Sequence, residues 1–190
     1  MPLTKIKSLG ITDGTILGTD VNSTFDLTGK TVTLPAGTGG KVLQVLSTTK
    51  TDTFSVSSTS FSDVTGLSVS ITPSSASNKI LVIVSVAING RDGVVAAYAK
   101  LVRNSTDIFI GDSAGSRSRV SAFIAENAGC IINANLTHLD SPNTTSAITY
   151  KIQLAGNNVN AVYINRGDTD GDSSGTGRTA SSITVMEIAG

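Results

Sequence analysis

Apolar and polar residues alternate with a period of two along most of this chain. The stretch 67–71 alternates Leu, Val and Ile with serines, and 148–154 alternates Ile, Tyr, Ile and Leu with Thr, Lys and Gln. Segments 54–57 and 183–186 repeat the pattern. Because successive side chains of a β-strand point to opposite faces, each segment predicts a strand with one face on a core.

One segment departs from this pattern because both of its faces are apolar. It spans 80–88 and reads ILVIVSVAI. A buried helix gives a similar short apolar run, but a strand of this kind belongs in the middle of a sheet, covered on both sides. We expect the facing sheet to cover one side and a neighbouring subunit to cover the other.

Turn residues separate the predicted strands. Asn89-Gly90 follows the apolar segment, and Asn104-Ser105 predicts a hairpin between 97–103 and 107–111. Asn157-Asn158 closes the strand at 148–154. About eight to ten short strands are expected after the first forty residues, which is the number typical of a jelly roll or similar sandwich.

Composition supports an all-β chain. Ser and Thr supply roughly a quarter of the 190 residues, and Gly contributes 19. Only two glutamates occur, Glu126 and Glu187. Thr and Val suit pleated, half-buried surfaces, whereas a helical protein would be expected to contain more Glu, Lys and Ala.

The first forty residues differ from the rest. Segment 3–21 has three glycines and only isolated hydrophobic residues, so it makes no core of its own. The sequence FDLTGKTVTLP at 25–35 predicts a small β-arm, and the Gly-rich loop 36–40 predicts a hinge. We therefore expect an anchoring arm at 1–40 and a β-sandwich domain at 41–190.

Charge and cysteine content exclude several classes of function. The net charge is +0 and only 15% of residues are charged, which argues against nucleic acid as a partner and favours a surface buried against other chains. A single cysteine, Cys130, excludes a disulfide framework and a cysteine-based zinc site, and its apolar surroundings predict a small buried residue. No secretory signal and no segment long enough to span a membrane is found.

Several strings resemble a known family. They lie at 25–45 (FDLTGKTVTLPAGTGGKVLQV), 51–73 (TDTFSVSSTSFSDVTGLSVSITP), 77–86 (SNKILVIVSV) and 178–189 (RTASSITVMEIA). Together they resemble the C-terminal domains of tail-fibre-like proteins of marine and cyanobacterial bacteriophages. The predicted strand order also resembles the tumour-necrosis-factor type of jelly roll.

The resemblance implies a non-catalytic homotrimer on a virion that is assembled in the host cytoplasm. On such a virion, fibres bind a host-surface glycan or protein. It places the apolar strand in the trimer core, with Ile80, Val82, Val84 and Val86 as the core residues. Fibres usually carry a long shaft, yet only about forty residues precede this sandwich, and 11–16 resembles a single stem unit. The alternative is a capsid decoration protein (cement or head fibre) that grips other virion proteins with residues 1–40.

Catalysis has little support in the sequence. The chain has one histidine, His138, and no G-x-S-x-G nucleophile elbow accompanies it. We therefore expect His138 to be a strand residue at an edge or a subunit contact. A fibre-tip polysaccharide hydrolase would need paired carboxylates across a cleft. We therefore expect no enzymatic activity and no cofactor, with such a hydrolase as the least favoured reading.

Two charged groups are candidates for binding. Asp168, Asp170 and Asp172 alternate in a Gly-rich loop and offer the oxygen ligands that calcium prefers, without EF-hand spacing. Arg117 and Arg119 alternate around one serine, which predicts both on one face of a strand, pairing with acidic residues of a neighbouring subunit.

Overall fold

The computed structural model describes residues 42–90, 96–125 and 130–190. Within these ranges the chain is all-β, and its strands form two antiparallel sheets that pack face to face. The predicted arm at 1–40 and its boundary with the sandwich lie outside the described residues. In the part of the chain described here, no helix has the length and apolar character needed to cross a membrane.

Each segment with period-two alternation is a strand, and the predicted apolar strand forms the long strand β4. The described residues contain eleven strands, slightly more than expected, because four of them are short strands of three residues. The strands are β1 Val42–Lys50, β2 Phe54–Val56, β3 Ser62–Ile71, β4 Lys79–Gly90, β5 Ala97–Arg103, β6 Thr106–Ile108, β7 Ala122–Ile124, β8 Ile132–Asp140, β9 Ile148–Gly156, β10 Val162–Ile164 and β11 Ser181–Ile188.

The first sheet, sheet A, is organised around β4. Strand β8 pairs with one whole edge of β4, and β11 and β10 share the other edge. Strand β1 pairs with the far side of β11, and β2 pairs with the far side of β10. The central place predicted for the apolar strand is therefore confirmed.

The second sheet, sheet B, has the order β3-β9-β5, and β6 and β7 share the outer edge of β5. Asn104, at the predicted hairpin between β5 and β6, has a φ of 54°, a left-handed conformation that asparagine tolerates better than most residues. Its backbone N–H donates to the Thr149 carbonyl, and its side-chain oxygen accepts from the Thr149 N–H, so the turn also ties β5 to β9.

The strand order is that of a jelly roll. Sheet A contains the sequence β1-β11-β4-β8 and sheet B contains β3-β9-β5 with β6 and β7 at its edge. The chain therefore crosses between the sheets repeatedly, which is the double Greek-key arrangement of this fold. The predicted fold class, an all-β jelly-roll sandwich, is confirmed.

The core lies between the two sheets and is aliphatic apart from one tyrosine. On sheet A, the even-numbered residues of β4 alternate inward with Ile183 and Val185 of β11. On sheet B, Tyr150, Ile152 and Leu154 of β9 face them. All these side chains are buried, and burial of apolar surface contributes about 25 cal/mol per Å² to stability.

In both sheets a serine fills the junction where two strands share one edge of a third strand. Between β10 and β11, the Ala87 N–H donates to the Ser181 hydroxyl and the Ala87 carbonyl accepts from the Asn165 N–H. Between β6 and β7, the Leu101 N–H donates to the Ser121 hydroxyl at 2.9 Å. Because an unpaired buried backbone group is costly, these hydroxyls let each sheet change partner without losing hydrogen bonds.

Candidate functional site

An apolar row crosses the outer face of sheet A, the face that points away from the core. Val45, Met186, Leu81 and Leu139 are direct cross-strand partners on β1, β11, β4 and β8. Directly paired residues of antiparallel strands lie on the same face. Val45 is 54% exposed and Leu139 is 48% exposed, so the row ends in solvent on both sides. We call these four residues the apolar row.

The surroundings of the apolar row carry almost no charge. Ile83 lies in the next row of sheet A, between Thr184 and Thr137, and is also exposed. Among the outward residues of β1, β11, β4 and β8, Lys79 at the start of β4 is the single charged one. A neutral, apolar patch of this kind on a folded domain is typical of a protein–protein interface.

The outer face of sheet B is different because two ion pairs lie on it. The Lys151 ammonium lies 2.6 Å from Asp63, and the Lys100 ammonium lies 2.6 Å from Asp107. Hydrogen bonds from Lys151 and Gln153 hold the pKa of Asp63 below its ordinary value. This face therefore suits water, and the two faces of the sandwich are chemically distinct.

The residues predicted for a trimer core occupy a different position. Ile80, Val82, Val84 and Val86 are at most 1% exposed, and they pack into the core of their own sandwich. Because this chain already fills the space around them, they have no surface left for a second chain. The residues of β4 that face outward are the odd-numbered ones, of which Leu81 belongs to the apolar row.

The predicted arginine pair lies in a loop, not on a strand. Arg117 and Arg119 are in the connection between β6 and β7, and both are exposed. Arg119 donates through Nε to the Gly111 carbonyl at 2.7 Å, and Arg117 makes a 3.5 Å contact with the Ala114 carbonyl. Within 42–90, 96–125 and 130–190, neither guanidinium is ion-paired with a carboxylate. Pairing with a neighbouring subunit stays a prediction.

The aspartate loop is held by arginines. Asp170 lies 2.9 Å from Arg166 and 2.7 Å from Arg178, at the two ends of the loop. The hydrogen bond from Arg166, followed by the charge of Arg178, lowers the pKa of this carboxyl. Two guanidiniums repel a cation, and among the described residues Asp168, Asp170 and Asp172 form no ligand cluster. This geometry does not support the predicted calcium site.

His138 is on the edge strand β8, where the sequence placed it. Its ring packs against Phe109 with the centroids 5.2 Å apart, and its Nε2 lies 4.0 Å from Asp140. Asp140 instead accepts hydrogen bonds from the guanidinium of Arg103 at 2.8 Å and the hydroxyl of Tyr150 at 2.6 Å. No serine is hydrogen-bonded to His138 in the described ranges, so this arrangement is not a catalytic triad.

The network around Asp140 is structural. It joins β8 of sheet A to β5 and β9 of sheet B, because Arg103 and Tyr150 come from those strands. Burial, together with the hydrogen bond to Asp140, raises the pKa of Tyr150 far above its ordinary value. A tyrosine that stays protonated and has no exposure is unsuited to proton transfer with a substrate.

Glu187 is a second buried carboxyl that the sequence did not indicate. It accepts hydrogen bonds from Gln44, from Asn78 and from both the N–H and hydroxyl of Ser74. Burial alone would raise its pKa, but these hydrogen bonds outweigh burial and lower it to about 2. Glu187 therefore fastens the connection between β3 and β4 to sheet A.

One further prediction concerns the cysteine. Cys130 is exposed, contrary to the predicted buried position, because it precedes β8 and lies outside the inter-sheet core. Its carbonyl accepts a hydrogen bond from the Asn89 side chain at 2.7 Å. Residues 91–93, which follow β4, lie outside the described residues. The loop at 143–145 is described and connects β8 to β9.

Sequence reasoning missed the apolar row. Its members are scattered along the chain at 45, 81, 139 and 186, and each belongs to a strand with apolar residues on the other face as well. The stacked pair of Tyr98 and Phe123 was also missed. Cross-strand register is the signal that brings each set together, and it is not visible in local periodicity.

No family model and no curated protein matches the sequence. Among solved structures, the infectious bursal disease virus VP2 subviral particle is similar, with a TM-score of 0.48 and 12% identity over 77% of this chain and 33% of that chain. Structures of the Gx and Gt strains of that virus both give a TM-score of 0.41, with 11% and 14% identity over 77% of this chain.

The alignment spans 37% and 38% of the Gx-strain and Gt-strain chains, so this chain covers little more than a third of the solved chains that it matches. Similarities of this size carry no argument about function. The jelly roll itself follows from the strand order described above.

Proposed function

We propose that this chain is a non-catalytic, homotrimeric structural protein of a bacteriophage virion, of the fibre or receptor-binding class. The apolar row of sheet A is the observation that carries the proposal. The core of the jelly roll is complete without these side chains, so their exposure has no role in folding one chain. Removing them from water against other copies of the chain supplies the free energy for assembly.

A second copy of this chain is the occupant that fits the apolar row best. The four outward strand faces around the row have no acidic residue, so copies do not repel each other there. The chain has a net charge of +0, which removes long-range repulsion between subunits. The resemblance of its sequence strings to trimeric fibre domains favours three copies around one axis.

Three classes of role were expected, and the geometry favours a structural one over a hydrolase. His138 has no nucleophile partner among the described residues, and the two buried carboxyls, Asp140 and Glu187, are saturated by hydrogen bonds. Neither carboxyl faces an open cleft, since both are buried. The decoration role, which depends on residues 1–40, is the second candidate.

A charge in the apolar row tests the proposal. We expect the full chain to elute with three times the 19.4 kDa mass of one chain in light-scattering chromatography. Leu139→Asp should give a folded monomer, because an unpaired charge in an apolar interface costs about 3 kcal/mol or more. The matched control is Ser68→Asp on the outer face of sheet B, next to Lys151, which should stay trimeric.

A wild-type monomer, or a trimer that tolerates Leu139→Asp, would contradict the proposed interface. Location on the particle is tested separately with an averaged cryo-electron microscopy map of the virion. A few copies at the tail would support the fibre role. Many copies over the capsid shell would overturn the fibre role and favour the decoration role, in which residues 1–40 grip other virion proteins.

A further inference from the structure

Two aromatic rings stack on the outer face of sheet B. Tyr98 of β5 and Phe123 of β7 are direct cross-strand partners, and their ring centroids are 5.6 Å apart with an angle of 25° between the planes. Phe123 is 58% exposed. A stacked pair of which Phe123 is exposed and Tyr98 is half-buried leaves an apolar surface open to ligands.

The loop between β6 and β7 turns this surface into a pocket. Arg117, Ser118 and Val120 from the loop, together with Tyr98 and Phe123, line a cavity of about 370 Å³. That volume is at the lower end of the range for small-molecule sites, roughly 300–1,000 Å³. The pocket therefore combines an aromatic surface, one hydroxyl and one guanidinium.

Arg117 brings a cation that the described residues do not neutralise. Arg103, Arg166 and Arg178 each lie within 3 Å of a carboxylate oxygen. The contact of Arg117 is instead a long one, 3.5 Å, to the Ala114 carbonyl. A guanidinium forms its strongest hydrogen bonds with carboxylates, which it can bind through two parallel N–H groups.

We infer that this pocket binds an acidic sugar, a pyranose ring that carries a carboxylate. A pyranose has a face of C–H groups, which packs on the Phe123 and Tyr98 rings, and an edge of hydroxyls, which stay in the water at the open mouth. Arg117 binds the carboxylate and the Ser118 hydroxyl binds a ring substituent. The inference deepens the proposed receptor-binding function and rests on it, because a host-surface polysaccharide is the source of such sugars.

The chemistry of the pocket favours this ligand over other small molecules. A phosphate or sulfate alone makes no use of the aromatic surface, and a purely apolar ligand makes no use of Arg117. An acidic sugar uses both. Its hydroxyls also tolerate an open pocket, where an apolar ligand would keep much of its surface in water.

Ligand-observed NMR with tetragalacturonate on the full chain tests the inference. We expect binding in the millimolar range, and about tenfold weaker binding for Arg117→Gln, since a charge-assisted hydrogen bond contributes about 1.5 kcal/mol or more. Phe123→Leu, which removes the ring at an exposed position, should weaken binding similarly. Arg119→Gln is the matched control, because Arg119 lies in the same loop but does not line the pocket.

The methyl ester of the same oligosaccharide separates the two halves of the argument, because it keeps the rings and loses the charge. It should bind wild type no better than tetragalacturonate binds Arg117→Gln. No saturation transfer with wild type, or equal binding by all variants, would overturn the inference.

The same titration with Leu139→Asp distinguishes this inference from the proposed function. The pocket is on sheet B and the substitution is on sheet A, so Leu139→Asp should bind tetragalacturonate even as a monomer. A trimer that fails to bind tetragalacturonate would contradict the pocket alone and leave the proposed assembly standing.

Discussion

The two outer faces of the sandwich belong to sheets of similar construction but differ in chemistry. Sheet A presents the apolar row from Val45 to Leu139, and sheet B presents the Lys151–Asp63 and Lys100–Asp107 ion pairs. Both sheets contribute aliphatic side chains to one common core. The difference is therefore confined to the surfaces that folding leaves exposed.

This contrast separates the requirements of folding from those of assembly. An antiparallel sandwich needs one apolar face on each sheet, and its outer faces are free to be polar. The outer face of sheet B is mostly polar and carries the stacked Tyr98 and Phe123 rings at one edge, whereas the apolar row of sheet A runs across four adjacent strands. An apolar outer face adds nothing to the monomer and raises the risk of non-specific association, so its presence favours a specific partner.

The largest expected effect contrasts two neighbours on β4. Val84→Asp should unfold the domain, because Val84 is 1% exposed and a buried unpaired charge costs several kcal/mol, of the order of total stability. Ile83→Asp should leave the monomer folded, because Ile83 is 38% exposed on the outer face. Circular dichroism and urea unfolding of both variants measure the difference. Unfolding of Ile83→Asp would mean that the outer face of sheet A belongs to the core.

The second prediction concerns the carboxyl of sheet A that points inward, Glu187. Its pKa is lowered from 4.5 to about 2 in the folded chain, so it binds fewer protons than in the unfolded chain. The stability that it contributes is therefore fully present above pH 4.5 and is lost as the pH falls towards 2.

Glu187→Gln, which keeps the size of the side chain, should lower the free energy of unfolding at neutral pH. In acid, the variant and wild type should differ less in this free energy. Thermal unfolding of both proteins between pH 2 and pH 6 measures this difference. A difference that stays constant across that interval would show that the hydrogen bonds from Ser74, Asn78 and Gln44 do not depend on the charge.

The smallest effect is expected for the outward carboxyl of sheet B. Asp63→Asn removes the ion pair with Lys151, and because the Asp63 side chain is 54% exposed, the cost should be below about 1 kcal/mol. High salt should reduce it further, since salt screens exposed charges. Melting temperatures at low and high salt test this. A loss of stability above about 2 kcal/mol would show that the charges on sheet B contribute to the stability of the fold.

Local patterns predicted the strands well, but they did not reveal which side chains share a surface. The alternation at 67–71 and 148–154 depends on neighbouring residues alone, so β3 and β9 were recognisable. The alternation around Arg117 and Arg119 looked similar, but those residues lie in a loop between two strands of three residues each. Short edge strands leave too few residues for a reliable period.

The aspartate loop shows a second way in which folding changes the surroundings of a predicted site. Alternating carboxylates suggested a cation, but Asp170 is neutralised by Arg166 and Arg178. Those arginines come from opposite ends of the loop, where their backbones form a bridge. Their approach depends on how the loop closes, and spacing along the chain does not reveal it.

The sequence by itself determined that this protein is all-β, that 80–88 is a central strand and that Asn104 makes a hairpin. These properties follow from the two-residue repeat of a strand and from the conformational preferences of single residues. Tertiary structure alone decided which residues meet across strands, including the apolar row, the hydrogen bonds to Glu187 and the pocket beside Phe123. Pairing register joins residues that are distant in the chain, and it is fixed by the packing of the whole sandwich, so no local pattern encodes it.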